Sequence, residues 1–280
     1  MRGEQESLDE RMISPLHKYH FLFDLVAVGV LVLYGLLAWG SAGGQGGAAL
    51  DPILAAARAR GALRVAVDVG FRPFADQVGG DLVGYDIDLA QAVAARIGLR
   101  AEFVPTGFDA LYATLESGQV DLIASALLYA PEQGFRARFS SFYFNAGQVL
   151  VVPADSPIAG PGDLAQRMVG VALGSDADAL AQRMSGAGAG FTVRASYDEP
   201  ALALAELRAG RLDAVIADNV AALTAVQAAP GLRIAAALTT EPFVLGLPRP
   251  AFQLEAEVNR ALAELRAEGF MAQLNRKWLR

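Results

Sequence analysis

Beyond residue 50 the apolar positions fall into two alternating patterns. Residues 63–67 form a short, mostly apolar run, as expected of a strand buried on both faces. It ends at Asp68, and Gly70-Phe71-Arg72-Pro73-Phe74 follows as a turn that cannot continue it. Apolar residues at Ile87, Leu89, Ala90, Val93, Ala94 and Ile97 then repeat at helical spacing, closed by Gly98. Strand patterns at 100–104 and 120–124 flank a helical stretch at 108–115. Extended runs at 139–143 and 148–152 lead to a second set: strands at 168–173, 191–195 and 214–217, with helices after Ser175, across 199–209 and after Asn219. Strands at 232–237 and 243–247 and two amphipathic helices at 254–265 and 270–279 complete the chain. Asp51-Pro52 opens a short helix, Asp as N-cap and Pro at the first helical position, ended by Gly61. Strands alternating with helices predict α/β units with parallel sheets. Two such units joined by two extended crossings predict two lobes with a cleft between them.

The first fifty residues follow another rule. Residues 21–39 are almost wholly apolar, and at about 1.5 Å per residue they approach the roughly 30 Å hydrocarbon thickness of a bilayer. Tyr34 and Trp39 suit an interfacial aromatic belt, and Asp24 falls in the first turn, within reach of water. Arg2, Arg11 and Lys18 precede the span and no charge follows until Asp51, which predicts a cytoplasmic tail (1–20) and an extracytoplasmic main body. Gly40-Ser41-Ala42 also offers a small-residue cleavage site. The apolar run is nevertheless longer than a usual signal core, so an uncleaved single-pass anchor is expected. Residues 40–49, rich in glycine, read as a flexible linker.

Composition narrows the chemistry. A net charge of −7 without any Lys/Arg-rich run argues against a nucleic-acid partner. Without cysteine there is no disulfide framework, thiolate metal site or cysteine nucleophile. His17 and His20 both precede the apolar span, which excludes histidine-dependent catalysis in the main body. No nucleophile–base pair or metal-ligand spacing is visible, so no cofactor and no enzymatic activity are expected.

Leu63-Arg64-Val65, the acid Asp68, Phe71-Arg72-Pro73-Phe74 and Gly84-Tyr85-Asp86-Ile87-Asp88-Leu89-Ala90 together resemble the opening of the family 3 extracellular solute-binding proteins. The closing run Ala261 to Gly269, followed by Lys277-Trp278-Leu279, is similar to that family's ending. The resemblance covers about Leu50 to Arg280. It implies a two-lobe type II periplasmic-binding-protein fold, with lobe one from 50–148 and 243–280 and lobe two from 149–242. It also implies a receptor that hands a polar amino acid to an ABC permease in the same membrane.

Asp68 and Phe71 sit at a strand's carboxyl end, where open α/β sheets hold ligands; a turn cap and a core aromatic are the plain alternatives. In the resembled family a run of small and hydroxyl residues ending in Thr-x-Glu-Arg clamps the ligand's α-carboxylate. The matching run here is Ser125-Ala126-Leu127-Leu128-Tyr129-Ala130-Pro131-Glu132-Gln133. Ser125 keeps a hydroxyl, but Leu128, Ala130 and Gln133 replace a hydroxyl residue, the threonine and the arginine. Arg136, three residues beyond Gln133, is the nearest cation that could reach back. Asp218 matches the family's ammonium acceptor and is equally placed to cap the following helix. Ser175 matches an anion-binding turn, with Asp176 competing for its donors. An acid-rich cleft short of fixed positive charge predicts an amine-bearing ligand, with Phe71, and Tyr129 or Phe142, offering an aromatic face. The alternative is a receptor fold retained as a structural subunit of a membrane complex.

Overall fold

The computed structural model describes residues 51–280. The apolar 21–39 segment and the linker lie outside them, and no helix among the described residues is long and apolar enough to cross a membrane. Helices are numbered α1 Pro52–Arg60, α2 Tyr85–Arg96, α3 Leu111–Glu116, α4 Asp176–Met184, α5 Pro200–Arg208, α6 Asn219–Ala228, α7 Phe252–Ala267 and α8 Phe270–Trp278. The strands are β1 Ala62–Val67, β2 Asp76–Val78, β3 Asp81–Val83, β4 Arg100–Pro105, β5 Leu122–Leu128, β6 Ala137–Phe139 and β7 Phe144–Asn145. They continue as β8 Gln148–Pro153, β9 Met168–Ala172, β10 Thr192–Tyr197, β11 Ala214–Asp218, β12 Leu232–Ala237 and β13 Pro242–Pro248.

Two large sheets, beside the small β2–β3 hairpin, organise these elements, which is the two-lobe α/β architecture expected. One runs β4-β1-β5-β13-β6, with β7 also on β13; the other runs β10-β9-β11-β8-β12. β4, β1 and β5 are mutually parallel, as are β10, β9 and β11. The strands that enter each sheet at a crossing, β13 and β8, are antiparallel to their neighbours, so each sheet is mixed rather than wholly parallel. The chain passes between sheets at Ala146-Gly147 and again between β12 and β13.

Each sheet has its own core. The larger, in the first lobe, joins β1 and β5 to α2, α7 and α8 through Leu63, Leu89, Val93, Leu122, Leu254, Val258, Leu262 and Leu274. The second lobe buries its strands between one cluster built on α5 and α6 and another built on α4. Asp51 ties the first lobe's ends together. Its Oδ1 accepts from Leu54 N–H (2.7 Å) and caps α1, while Oδ2 accepts from Gln253 N–H (2.7 Å) and Leu254 N–H (3.1 Å) at the start of α7.

Candidate functional site

β5 is the element on which the first lobe's strand ends are built. It runs on past Ala124, where the apolar pattern suggested an end, because it carries a bulge. Against β13 its register jumps from Leu127↔Val244 to Ile123↔Gly246, so that three residues, Ala124 to Ala126, oppose the single Leu245, and Ala126 takes a left-handed φ of 44°. Bulges re-aim side chains at sheet ends. Here Ser125 Oγ accepts from Asp68 N–H (2.9 Å), fixing the residue at the carboxyl end of β1. Asp68, placed by the strand-end argument, and Ser125, placed by the family resemblance, therefore meet. Phe71 follows in a turn closed by Gly70 N–H donating to Ala75 O (3.1 Å); its ring stacks on buried Phe74 and remains 52% exposed.

Phe108 escaped the sequence reading. Thr106 N–H donates to Val67 O (2.9 Å), so the segment leaving β4 lies beside Asp68, and Phe108 two residues on is 55% exposed. A large aromatic opening a helical stretch looks like core. The signal against that was its position just past a strand end beside β1. Tyr129 and Phe142 form a second exposed aromatic pair after β5, 5.7 Å between centroids.

Gln133 ends a single helical turn at 131–133, and its side-chain oxygen is buried without a hydrogen-bond partner. Arg136 does not reach back to it. Its guanidinium donates to both Glu116 carboxylate oxygens (2.8 and 3.0 Å) and lies 4.9 Å over the Tyr112 ring. That pairing holds the Glu116 carboxyl below its ordinary range.

In the second lobe, Ser175 caps α4, accepting from Asp178 N–H (3.2 Å) and donating to Ala172 O (2.7 Å). The expected competitor, Asp176, is exposed; Asp178 is the acid that turns inward, its Oδ2 accepting from Gly174 N–H (3.0 Å). The chain's own carboxylate thus takes a donor an anion would need. Asp218 ends β11 and caps α6 through Ala221 N–H (2.9 Å). Next to it, Asn219 N–H and Nδ2 donate to Gly147 O (3.1 Å) and Asn145 O (2.8 Å) at the crossing. Val220 and Leu223 pack on the first lobe's core. Asp68, Phe71 and Ser125 thus share one sheet's strand ends and Ser175, Asp176 and Asp218 the other's, with no hydrogen bond between the two sets among the described residues.

Beneath this surface lies Asp86, fully buried in the first turn of α2. Its Oδ2 accepts from Ala126 N–H at 2.5 Å, the amide freed by the bulge. Burial raises its pKa to about 7. The Tyr143 hydroxyl faces the same carboxyl and offsets part of that rise, although neither it, Asp86 Oδ1 nor the Tyr85 hydroxyl makes a well-formed hydrogen bond. Desolvation, with the carboxylate alongside, pushes both phenols up. A separate groove of about 460 Å³ between α2 and α8 is lined by Asp88, Ala92, Phe270, Lys277 and their neighbours. Asp88 there already accepts from Lys277 Nζ (2.6 Å) and Trp278 Nε1 (2.8 Å).

Two α/β sheets joined by paired crossings, each with polar groups at the carboxyl ends of its parallel strands, define a two-lobe architecture. The chain belongs to the bacterial extracellular solute-binding proteins, family 3, whose profile matches residues 63–280. It is 30% identical over 237 residues to the L-cystine-binding protein TcyJ of Escherichia coli K12, spanning 81% of this chain and 86% of that one. It is 31% identical to the lysine/arginine/ornithine-binding periplasmic protein of the same organism, over 77% of this chain and 86% of that one. Its fold also matches the crystal structure of an ancestral cyclohexadienyl dehydratase, with a TM-score of 0.69, 25% identity, and coverage of 81% of this chain and 95% of that one.

Proposed function

We propose that residues 51–280 form an extracytoplasmic receptor that closes its lobes on a small amine-bearing solute and delivers it to an ABC permease. The observation carrying this reading is the pair of acids at strand ends, Asp68 on Ser125 and Asp218 at the start of α6, with Phe71 and Phe108 exposed beside the former. Amines suit carboxylates and aromatic faces. The two relatives are named for solutes that all carry amines. A ligand carboxylate fares worse here. Gln133 offers a neutral amide, Arg136 is held by Glu116, and Asp178 occupies the Gly174 donor. Arg72, beside Phe71, is the exception: a cation 76% exposed and paired to Asp76.

Residues 21–39 act in this reading as a retained anchor holding the receptor at the membrane from which its permease works, with the tail inside. We read the chain as a binding protein rather than an enzyme like its dehydratase neighbour, since the relatives it matches over most of their length are named as binding proteins.

Thermal-shift titration of the full chain tests the receptor. Matched pairs, lysine with 1,5-diaminopentane and arginine with agmatine, are the probes. A ligand at a hundredfold excess over Kd stabilises by about 2.7 kcal/mol. At least one probe should stabilise the wild type and fail with Asp68→Ala and Asp218→Ala, the decarboxylated member of each pair acting more strongly. Exposed Leu128 and the unpaired Gln133 oxygen favour a second reading, a fold kept as a structural subunit. Silence toward every probe, with co-purification in a non-transporter complex, supports that instead. Full-length protein retained in membranes after an alkaline wash supports the anchor; a shortened soluble chain overturns it.

A further inference from the structure

The Ser125–Ala126 bulge is held from inside the core rather than by the sheet. The irregular register leaves Ala126 N–H without a ladder partner, and the acceptor it finds, Asp86 Oδ2, comes from α2. That first turn is itself pinned beneath the ligand-side turn: Tyr85 N–H donates to Pro73 O (3.0 Å) and Asp86 N–H to Phe74 O (2.9 Å). One residue thus stands behind both, its carboxyl behind the bulge at Ser125, which positions Asp68, and its backbone N–H behind the turn that carries Phe71. Its second oxygen and the Tyr85 and Tyr143 hydroxyls are all buried without well-formed hydrogen bonds, the Tyr143 hydroxyl lying close enough to favour the ionised carboxyl. Buried polar groups are ordinarily satisfied, and the Ala126 N–H is the one well-formed partner this carboxyl has among the described residues.

We propose that Asp86 is a positioning residue for the ligand site, fixing the bulge through Ala126 N–H more tightly as a carboxylate than as an acid, and so tying solute affinity to pH. This rests on the receptor reading for its effect on affinity, but not for its effect on the bulge. An ionised acceptor makes a shorter and stronger bond than a neutral one, while burying the ion destabilises the whole lobe. Rising pH therefore tightens the site and weakens the fold, opposite effects that a purely structural core acid does not produce. The titratable groups facing Asp86 are Tyr85 from its own helix and Tyr143 from the segment before β7; Asp68 stands beyond Ser125, just past the end of β1, and Asp218 caps α6, which packs on the same core. Neither phenol ionises near neutrality, so a transition there belongs to the carboxyl.

Labelling the full chain with carbonyl-13C serine and 15N alanine isolates Ser-Ala peptide bonds, of which the sequence holds two, Ser125-Ala126 and Ser41-Ala42. The Ala126 amide resonance should move downfield as pH rises from about 5 to about 9 with a midpoint near neutrality, as the acceptor ionises. The Ala42 amide serves as a control and should not follow it. In Asp86→Asn the Ala126 resonance should be flat with pH, because the amide oxygen still accepts but cannot ionise. For 1,5-diaminopentane, wild-type affinity should rise across that range while Asp86→Asn stays level, and Asp86→Ala should bind about tenfold more weakly. A pH-independent Ala126 amide in the wild type overturns the proposal, as does an Asp86→Ala chain with unchanged affinity and an unshifted Ala126 resonance. If no probe binds wild type, the receptor reading fails and the amide titration alone decides the role of Asp86.

Discussion

Gln133 stands where the family resemblance implies an arginine, and its buried amide oxygen adds an acceptor where a carboxylate would need a donor. Gln133→Arg should therefore invert the preference within matched pairs, raising lysine over 1,5-diaminopentane by about tenfold, since a hydrogen bond to a charged group contributes roughly 1.5–3 kcal/mol. Calorimetric titration of both ligands measures it; an unchanged ratio would mean Gln133 does not border the ligand. Asp86 makes a second prediction, about stability. Folded, it keeps its proton up to about 7, whereas unfolded it yields it near 4. Unfolding between those values releases a proton, so the fold loses stability as pH rises, by at most about 1.4 kcal/mol per unit, and the loss levels off above the folded pKa. The melting temperature of wild type minus that of Asp86→Asn should fall from about pH 5 to about pH 8. A constant difference would show that Asp86 does not titrate in the folded chain. Both Asp86 and Gln133 were visible in the sequence, but only Gln133 by its anomaly. Asp86 reads as an ordinary acidic helix start, and the amide it serves lies 40 residues away, beyond any local pattern.

Elements with a clear period were legible. The two closing helices fall where helical spacing put them, because each buries one continuous face. Bounds failed where a strand's local pattern gave way to a tertiary device. β5 outruns its apolar run because a bulge, not a turn, follows Ala124. The β2–β3 hairpin went unread although Gly79-Gly80 marks a two-residue turn. Gly84 shows why the Gly-Tyr-Asp motif begins with glycine. Its φ is 142°, and a Cβ there would lie 2.1 Å from Phe74 O, so the turn carrying Phe71 could not rest on the start of α2. Gly84→Ala should cost at least about 2 kcal/mol and weaken amine binding together with stability, seen in a denaturant titration and a ligand titration of one sample. A variant of wild-type stability would show that the close approach is not required.

At the scale of the whole molecule, the proposed receptor function needs the two sheets to move as bodies about the crossings, and the crossings are built as one unit. Asn145 Nδ2 donates to Thr239 O (3.2 Å), and its Oδ1 accepts from Gly147 N–H (3.2 Å) and Glu241 N–H (2.7 Å), binding the outgoing segment to the returning one. Thr239 Oγ1 accepts from Gln148 N–H (2.7 Å) on the other side. A Cβ at Gly147 would stand 2.6 Å from Thr239 O and 2.7 Å from its Oγ1, so the two segments touch only because Gly147 has no side chain. Hinges are a few connecting residues that absorb the change in backbone angle, and this knot confines that change to a few positions. Gly147→Ala should separate the segments and displace the open–closed balance while leaving each sheet's core intact. A change of about 1.4 kcal/mol in that balance alters apparent affinity by up to tenfold without touching a ligand contact. The chain has no cysteine, so Gln119→Cys in one lobe and Arg183→Cys in the other give a clean dye pair for single-molecule transfer efficiency. With ligand, the wild type should move to higher efficiency as the lobes close. Gly147→Ala should start from a different distribution and need more ligand to reach the closed one, and identical distributions and titrations in the two chains would place the pivot elsewhere.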